Sequence, residues 1–132
     1  MDEQQFKNRT KRFALKVIDL VQALPNNETA RVIGRQLLRS GTSVGANYRA
    51  ACRGRSTADV IAKLRIVEEE ADESIYWIEL LLESRLVTPA EMADPLREAD
   101  ELIAMTVASI RTLQRNSNIS AVGRKLQIEK ER

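Results

Sequence analysis

Between residues 60 and 82, apolar side chains return at steps of three and four: Val60, Leu64, Val67, Ala71, Ile75, Ile78 and Leu82. At about 100° per residue this sets them along one side of an α-helix, and it lacks the strict alternation that a half-buried strand needs. A seven-residue repeat of this kind is the seam of a bundle or coiled coil, so the segment has to lie against other helices. Ser56 or Thr57 is placed to cap it, with Asp59 in the first turn, and the pattern runs to about Leu86. A second apolar patch, Ile66, Trp77, Leu80 and Leu81, lies largely away from the first. A helix with two apolar faces touches two partners, and in so short a chain the second is expected to be another subunit. Trp77, Leu80 and Leu81 are the candidate interface residues.

The remaining chain offers that helix its neighbours. Phe13, Val17, Leu20, Val21 and Leu24 mark a helix from about Asn8 to Leu24. Its outer face is basic (Lys7, Arg9, Lys11, Arg12, Lys16), and Pro25 ends it with Asn26 and Asn27 in the turn. A second helix is predicted over Glu28–Gly54. After the heptad helix, Thr88-Pro89-Ala90-Glu91 reads as a capping box with proline at the first helical position, and Asp94-Pro95 repeats the signal. The pattern suggests a short helical turn and then a helix over Pro95–Asn116, burying Leu96, Ala99, Leu102, Ile103, Thr106, Ile110 and Leu113. With 132 residues there is room for one ordinary domain. The expected fold is all-α, an antiparallel up-down-up-down four-helix bundle over 8–116. Residues 1–7 form an N-terminal extension, and the polar tail 117–132 is expected to be disordered or weakly helical.

The helix over Glu28–Gly54 is unusual in what it tolerates. Ser, Thr, Gly and Asn crowd Gln36–Arg55 although each weakens a helix. A wheel sorts them into three faces. Ile33, Leu37, Gly41, Val44, Tyr48 and Ala51 face a core. Gln36, Ser40, Ser43 and Asn47 form a narrow polar stripe, best read as a hydrogen-bonded layer at a helix–helix seam, with direct ligand contact as the competing role. Arg31, Arg35, Arg39, Arg49 and Arg53 form a basic stripe without an intervening carboxylate. Gly41 and Gly45 allow either the close approach of a neighbouring helix or a kink.

Charge is divided along the chain. Residues 1–65 carry 13 Lys/Arg against 5 Asp/Glu, residues 66–101 carry 2 against 12, and residues 102–132 carry 6 against 2. A basic face of this kind suits an anionic partner, or the acidic face of another copy. Arginine's planar fork matches phosphate, so the arginine stripe, extended by Lys11 and Arg12 on the first helix, is a candidate RNA- or DNA-binding surface. Aromatic side chains for base stacking are scarce, so backbone contact rather than base recognition is the expected mode.

Catalytic chemistry finds little support. With no histidine there is no imidazole acid–base pair, and the single cysteine, Cys52, makes neither a disulfide framework nor a thiolate zinc site. The glycines lack phosphate-loop spacing. The run Glu68-Glu69-Glu70-Ala71-Asp72-Glu73 is better read as a solvated face with edge ion pairs than as a metal or acid–base site. No catalytic residue, metal, cofactor or small-molecule substrate is expected. Nor is a membrane segment or signal peptide, and the lone thiol points to a reducing cytoplasm.

Three stretches, GRQLLRSGTSVGANYRAACRGRS, IAKLRIVEEEADESIYWIELL and the final SIRTL, together resemble the four-helix-bundle proteins of the 23S rRNA intervening-sequence family. The resemblance covers about Phe6 to Arg115. Its most specific part is Gln36, Leu37, Arg39, Ser40, Ser43, Val44, Ala46 and Asn47. It implies a homopentamer of antiparallel four-helix bundles with no known enzymatic activity. The related accessory protein of diversity-generating retroelements, which looks similar, forms a basic pentameric barrel that binds nucleic acid. The chain departs from the family pattern in two ways: many members carry a Glu shortly after the Asn, where this chain has Ala50 and Ala51, and many carry Pro where Gly45 stands.

Overall fold

The structure is a computed structural model and describes residues 1–131. Four helices follow one another: α1 (Glu3–Gln22), α2 (Glu28–Cys52), α3 (Thr57–Glu83) and α4 (Pro89–Glu131). No strand occurs among the described residues.

Each start is fixed by a side chain that satisfies an orphan amide. Asp2 and Gln5 form a capping box before α1, Asn27 accepts from the Ala30 N–H at 2.9 Å, and Ser56 accepts from Asp59 at 3.1 Å. The Asp2 box starts α1 five residues before the expected Asn8, because a cap needs no apolar residue and the hydrophobic pattern cannot see it. Thr88 and Glu91 likewise cap α4, with the Thr88 N–H donating to Glu91 Oε1 at 3.0 Å. The second signal, Asp94-Pro95, starts nothing: Pro95 lies inside α4 and is buried. The helix absorbs the loss of one backbone hydrogen bond there because the turn is already nucleated. Helix α3 ends through Arg85, whose φ of 63° lets the Leu86 N–H reach back to the Leu81 carbonyl at 3.0 Å. Beyond Leu113, α4 runs on as helix to Glu131 with its side chains exposed through Lys130.

The core is built by Phe13 and Val17 of α1, Leu37 and Val44 of α2, Val67, Ala71, Ile78 and Leu81 of α3, and Met92, Ala99 and Leu102 of α4. Along α3 the buried line is Leu64, Val67, Ala71, Ser74, Ile78 and Leu81, while Ile75 and Leu82 sit half-buried beside it. The seam is therefore rotated from the predicted heptad. Helix α3 is packed by α2 on one side and α4 on the other, which pulls Ser74 and Leu81 inward. Contacts between α1 and α2 pair in opposite sequence order. A Cβ on Gly34 would fall 2.9 Å from Leu24 and one on Gly41 2.8 Å from Val17; a Cβ on Gly45 would lie 3.2 Å from Thr10. Tyr48 stacks on Phe6, the ring centres 4.2 Å apart. Glycine in α2 thus serves close approach to α1, the first of the two roles open from sequence.

A candidate nucleic-acid interface on helices α1 and α2

The seam stripe separates by partner. Ser40 is fully buried, and its hydroxyl lies 2.9 Å from that of Ser74 across the α2–α3 contact. Each hydroxyl also has a carbonyl of its own helix in reach, Leu37 for Ser40 at 3.2 Å and Glu70 for Ser74 at 2.9 Å, so either serine can donate between the two. Ser43 and Asn47 bond within α2, donating to the Arg39 and Ser43 carbonyls, and Gln36 is half-buried nearby. Sequence spacing groups these four residues; only Ser40 carries a side-chain bond to another helix among the described residues.

Two of the five stripe arginines are neutralised. Arg39 reaches α3, meeting Glu70 at 3.2 Å and pairing also with Glu73. Glu73 Oε2 is enclosed at this ion pair. Arg31 pairs with Glu28 at 3.0 Å and takes Asn26 at 2.8 Å. The stripe has no carboxylate of its own line, yet neighbours from the turn before and from the next helix supply them. Arg35, Arg49 and Arg53 remain exposed with no carboxylate partner among the described residues, and the same holds for Lys11 and Arg12 on α1. Arg9 and Lys16, by contrast, cross to α4. Arg9 pairs with Glu98 at 2.6 Å and with Glu101, and Lys16 pairs with Asp94 at 2.6 Å.

Three unpaired cations are gathered by the α1–α2 contact. Lys7 and Lys11, one turn apart on α1, line a shallow groove with Arg49 of α2, over a floor of small residues that includes Thr10, Thr42, Gly45 and Ala46. Lys7 belongs to the basic outer face expected of the first helix but not to the candidate binding set; the Asp2 cap, by starting α1 at Glu3, sets it a full turn inside the helix. The opposite face is acidic: Glu68, Glu69 and Asp72 of α3 surround Arg65 in a groove against Ile103 of α4. Desolvating two helices against each other leaves long charged side chains to spread outward, and here the two signs spread to different sides.

The expected subunit-interface set needs one correction. Leu81 is fully buried within the protomer core, because it follows Ser74 and Ile78 on the inward line of α3. Trp77 and Leu80 are half-buried, and the Trp77 indole N–H is enclosed without a partner. Exposed apolar area lies instead at Leu15, Val32, Ile66 and Tyr76, and on the α4 extension at Ile119, Val122, Leu126 and Ile128.

Nothing here resembles an activated nucleophile. Burial raises the Cys52 thiol pKa, and a hydrogen bond to Glu3 adds to the effect, the reverse of what a reactive thiolate needs. Among the described residues no group of three or more His, Cys, Asp and Glu side chains is placed to hold a metal ion. Among the described residues no helix is long and apolar enough to cross a membrane.

The family model of the 23S rRNA-intervening sequence protein matches residues 2–108. The chain belongs to this family. A solved structure of a protein with unknown function, from the S23 ribosomal protein family of Bacteroides thetaiotaomicron VPI-5482, is 34% identical. It covers 84% of this chain and 99% of that chain with a TM-score of 0.79. No curated protein matches. The matched span holds α1, α2 and α3 whole and stops within α4, so the α1–α2 face belongs to the part shared with the family, while the exposed end of α4 lies beyond it.

Proposed function

We propose that this protein is a non-enzymatic, cytoplasmic, oligomeric nucleic-acid-binding protein that holds RNA or DNA by its phosphate backbone against the α1–α2 face. Each protomer is an antiparallel up-down-up-down bundle, and the family resemblance favours a ring-like homopentamer. The observation that carries the reading is the sorting of cations. Among the described residues Lys11 and Arg12 of α1 and Arg35, Arg49 and Arg53 of the α2 stripe pair with no carboxylate, while Arg9, Lys16, Arg31 and Arg39 are paired. From Arg35 to Arg53 the unpaired arginines span about 27 Å of helix at ~1.5 Å per residue, enough to follow several phosphates.

The test is binding of single- and double-stranded RNA and DNA across a salt series. For four to six phosphate contacts, affinity for duplex DNA should fall about 10²–10³-fold between 50 and 200 mM salt. Reversal of Arg35 and Arg49 to Glu should weaken binding strongly, whereas reversal of the paired Arg31 should weaken it less. Absence of binding at low salt sinks the proposal.

A second reading draws on the acidic groove around Glu68, Glu69 and Asp72. Here the basic face of one copy meets the acidic face of the next, and the protein is a structural or adaptor oligomer. Under that reading the Arg35 and Arg49 reversals dissociate the oligomer in light scattering. An intact oligomer that has lost nucleic-acid binding favours the first.

A further inference from the structure

We propose that the groove formed by Lys7, Lys11 and Arg49, where α1 and α2 pack across Gly45, is a discrete phosphate subsite for a nucleic-acid backbone; this rests on the nucleic-acid reading above. The groove encloses about 250 Å³, and no carboxylate lines it. By comparison, the groove between α1 and the start of α4 mixes Lys16 with Asp19, Glu91 and Asp94, and the α3 groove surrounds Arg65 with three acids. Three cations from two helices therefore converge here, and none of them forms an ion pair among the described residues.

Its floor explains why the charges converge. Gly45 lets α1 approach so closely that an added Cβ would lie 3.2 Å from Thr10 Oγ1. Thr10 is buried and donates to the Lys7 carbonyl at 3.0 Å; Thr42 donates to the Leu38 carbonyl at 2.7 Å. With their protons committed to their own helices, both hydroxyls leave the floor neutral and small, and the anion-binding donors come from the rim. Arg49 offers a planar fork and the two lysines compact ammonium groups, a set suited to one tetrahedral dianion or a bridging phosphodiester. Sugar carbon atoms can rest on Ala46, which is exposed at the groove edge. The floor has no aromatic side chain on which a base could stack, so the subsite selects phosphate and not sequence.

Charge alone can be separated from a shaped site. The Lys11→Ala/Arg49→Ala variant should lower affinity for a single-stranded oligonucleotide at least tenfold and reduce the salt slope by about 1.4, as loss of two contacts requires. Ala46→Trp changes no charge but covers the groove; it should also weaken binding about tenfold, with the salt slope reduced. Arg12→Ala, which removes a cation of the α1–α2 face from outside the groove, should weaken binding less than Lys11→Ala does. Circular dichroism checks that each variant is folded. If Ala46→Trp binds like the parent while Arg12→Ala and Lys11→Ala weaken binding equally, the field is diffuse and the subsite is wrong. In parallel, inorganic pyrophosphate is titrated against 15N-labelled protein. Shifts confined to residues around Lys7, Lys11 and Arg49 support the subsite even if oligonucleotides fail to bind, in which case only the nucleic-acid reading falls. An absence of shifts there up to millimolar pyrophosphate, with oligonucleotide binding intact, overturns the subsite alone. Dissociation of an oligomer by Lys11→Glu, with no pyrophosphate shift, assigns the groove to the acidic face of a second copy and overturns it as well.

Discussion

Replacing Gly41 by alanine tests the packing that creates the α1–α2 face. An alanine Cβ would lie 2.8 and 2.9 Å from the two γ-methyls of Val17 and 3.1 Å from its Cβ. Carbon atoms rest at ~3.5–4.0 Å, so three atoms are overlapped at once. Val17 has no exposed surface and is β-branched, so it cannot swing aside; the helices have to part. Overpacking of this kind costs about 1–3 kcal/mol. The gain in helix propensity from glycine to alanine returns about 1 kcal/mol. With three atoms overlapped against a side chain that cannot move, the strain falls in the upper half of that range, so the net expectation is a loss of about 1–2 kcal/mol, or roughly 4–8 °C in Tm for a chain of this size. The assay is urea denaturation followed by circular dichroism at fixed protein concentration, since association shifts apparent stability. Val17→Ala alone should cost about 2 kcal/mol by removing buried methyls. The double variant should be more stable than the sum of the two losses by about 1 kcal/mol or more, because the new methyl fills part of the vacated space. Gly123→Ala is the control: nothing lies within 4 Å of that Cβ, so it should be neutral or stabilising. A Gly41→Ala protein as stable as the parent, or strict additivity with Val17→Ala, would refute the close-approach account.

Three further outcomes are expected. Arg85 holds a positive φ without being glycine, so Arg85→Gly should stabilise by about 1 kcal/mol in denaturation, and any loss of stability would contradict the left-handed cap. Ser74→Ala removes the hydroxyl bonded to Ser40, yet Ser40 still has the Leu37 carbonyl at 3.2 Å; the cost should stay near 1 kcal/mol, and a loss above ~3 kcal/mol would show that the two serines do more than join a seam. The Lys63 hydrogen bond lowers the Asp59 carboxyl pKa and Lys16 does the same for Asp94. Stabilisation from a lowered acid pKa is complete above the unfolded value and disappears as pH falls through the folded one. Stability should therefore be level from pH 7 to about 5 and decline below about 4. Lys16→Met with Lys63→Met should flatten that decline, and an unchanged acid slope would discard these two pairs as its source.

Periodicity made most of the helical plan legible. Phe13, Val17, Leu37, Val44, Leu64, Val67, Ala71, Ile78, Ala99 and Leu102 are core positions in both the apolar pattern and the structure, because a buried stripe has to repeat with the helix. Ends were less readable. Asp2 caps α1 outside any apolar repeat, and Thr88 outranks Asp94 because Glu91 is present to answer it. Leu81 was misread as a surface residue, since a wheel drawn on one helix cannot show that α2 and α4 close on it from both sides.

The sequence by itself determined that the chain is helical, how many helices it forms, which face of each is apolar, and that basic and acidic residues occupy different halves. Local spacing and capping chemistry suffice for all of these, because they depend on residues within a turn or two. Only the tertiary structure decided which charges are cancelled. Arg39 and Arg9 lose their freedom to carboxylates 31 and 89 residues away, while Lys7, Lys11 and Arg49 keep theirs in one groove. Whether a cation is spent inside the fold or offered to a partner depends on what the neighbouring helix presents at a few ångströms, and no periodicity within one helix records that.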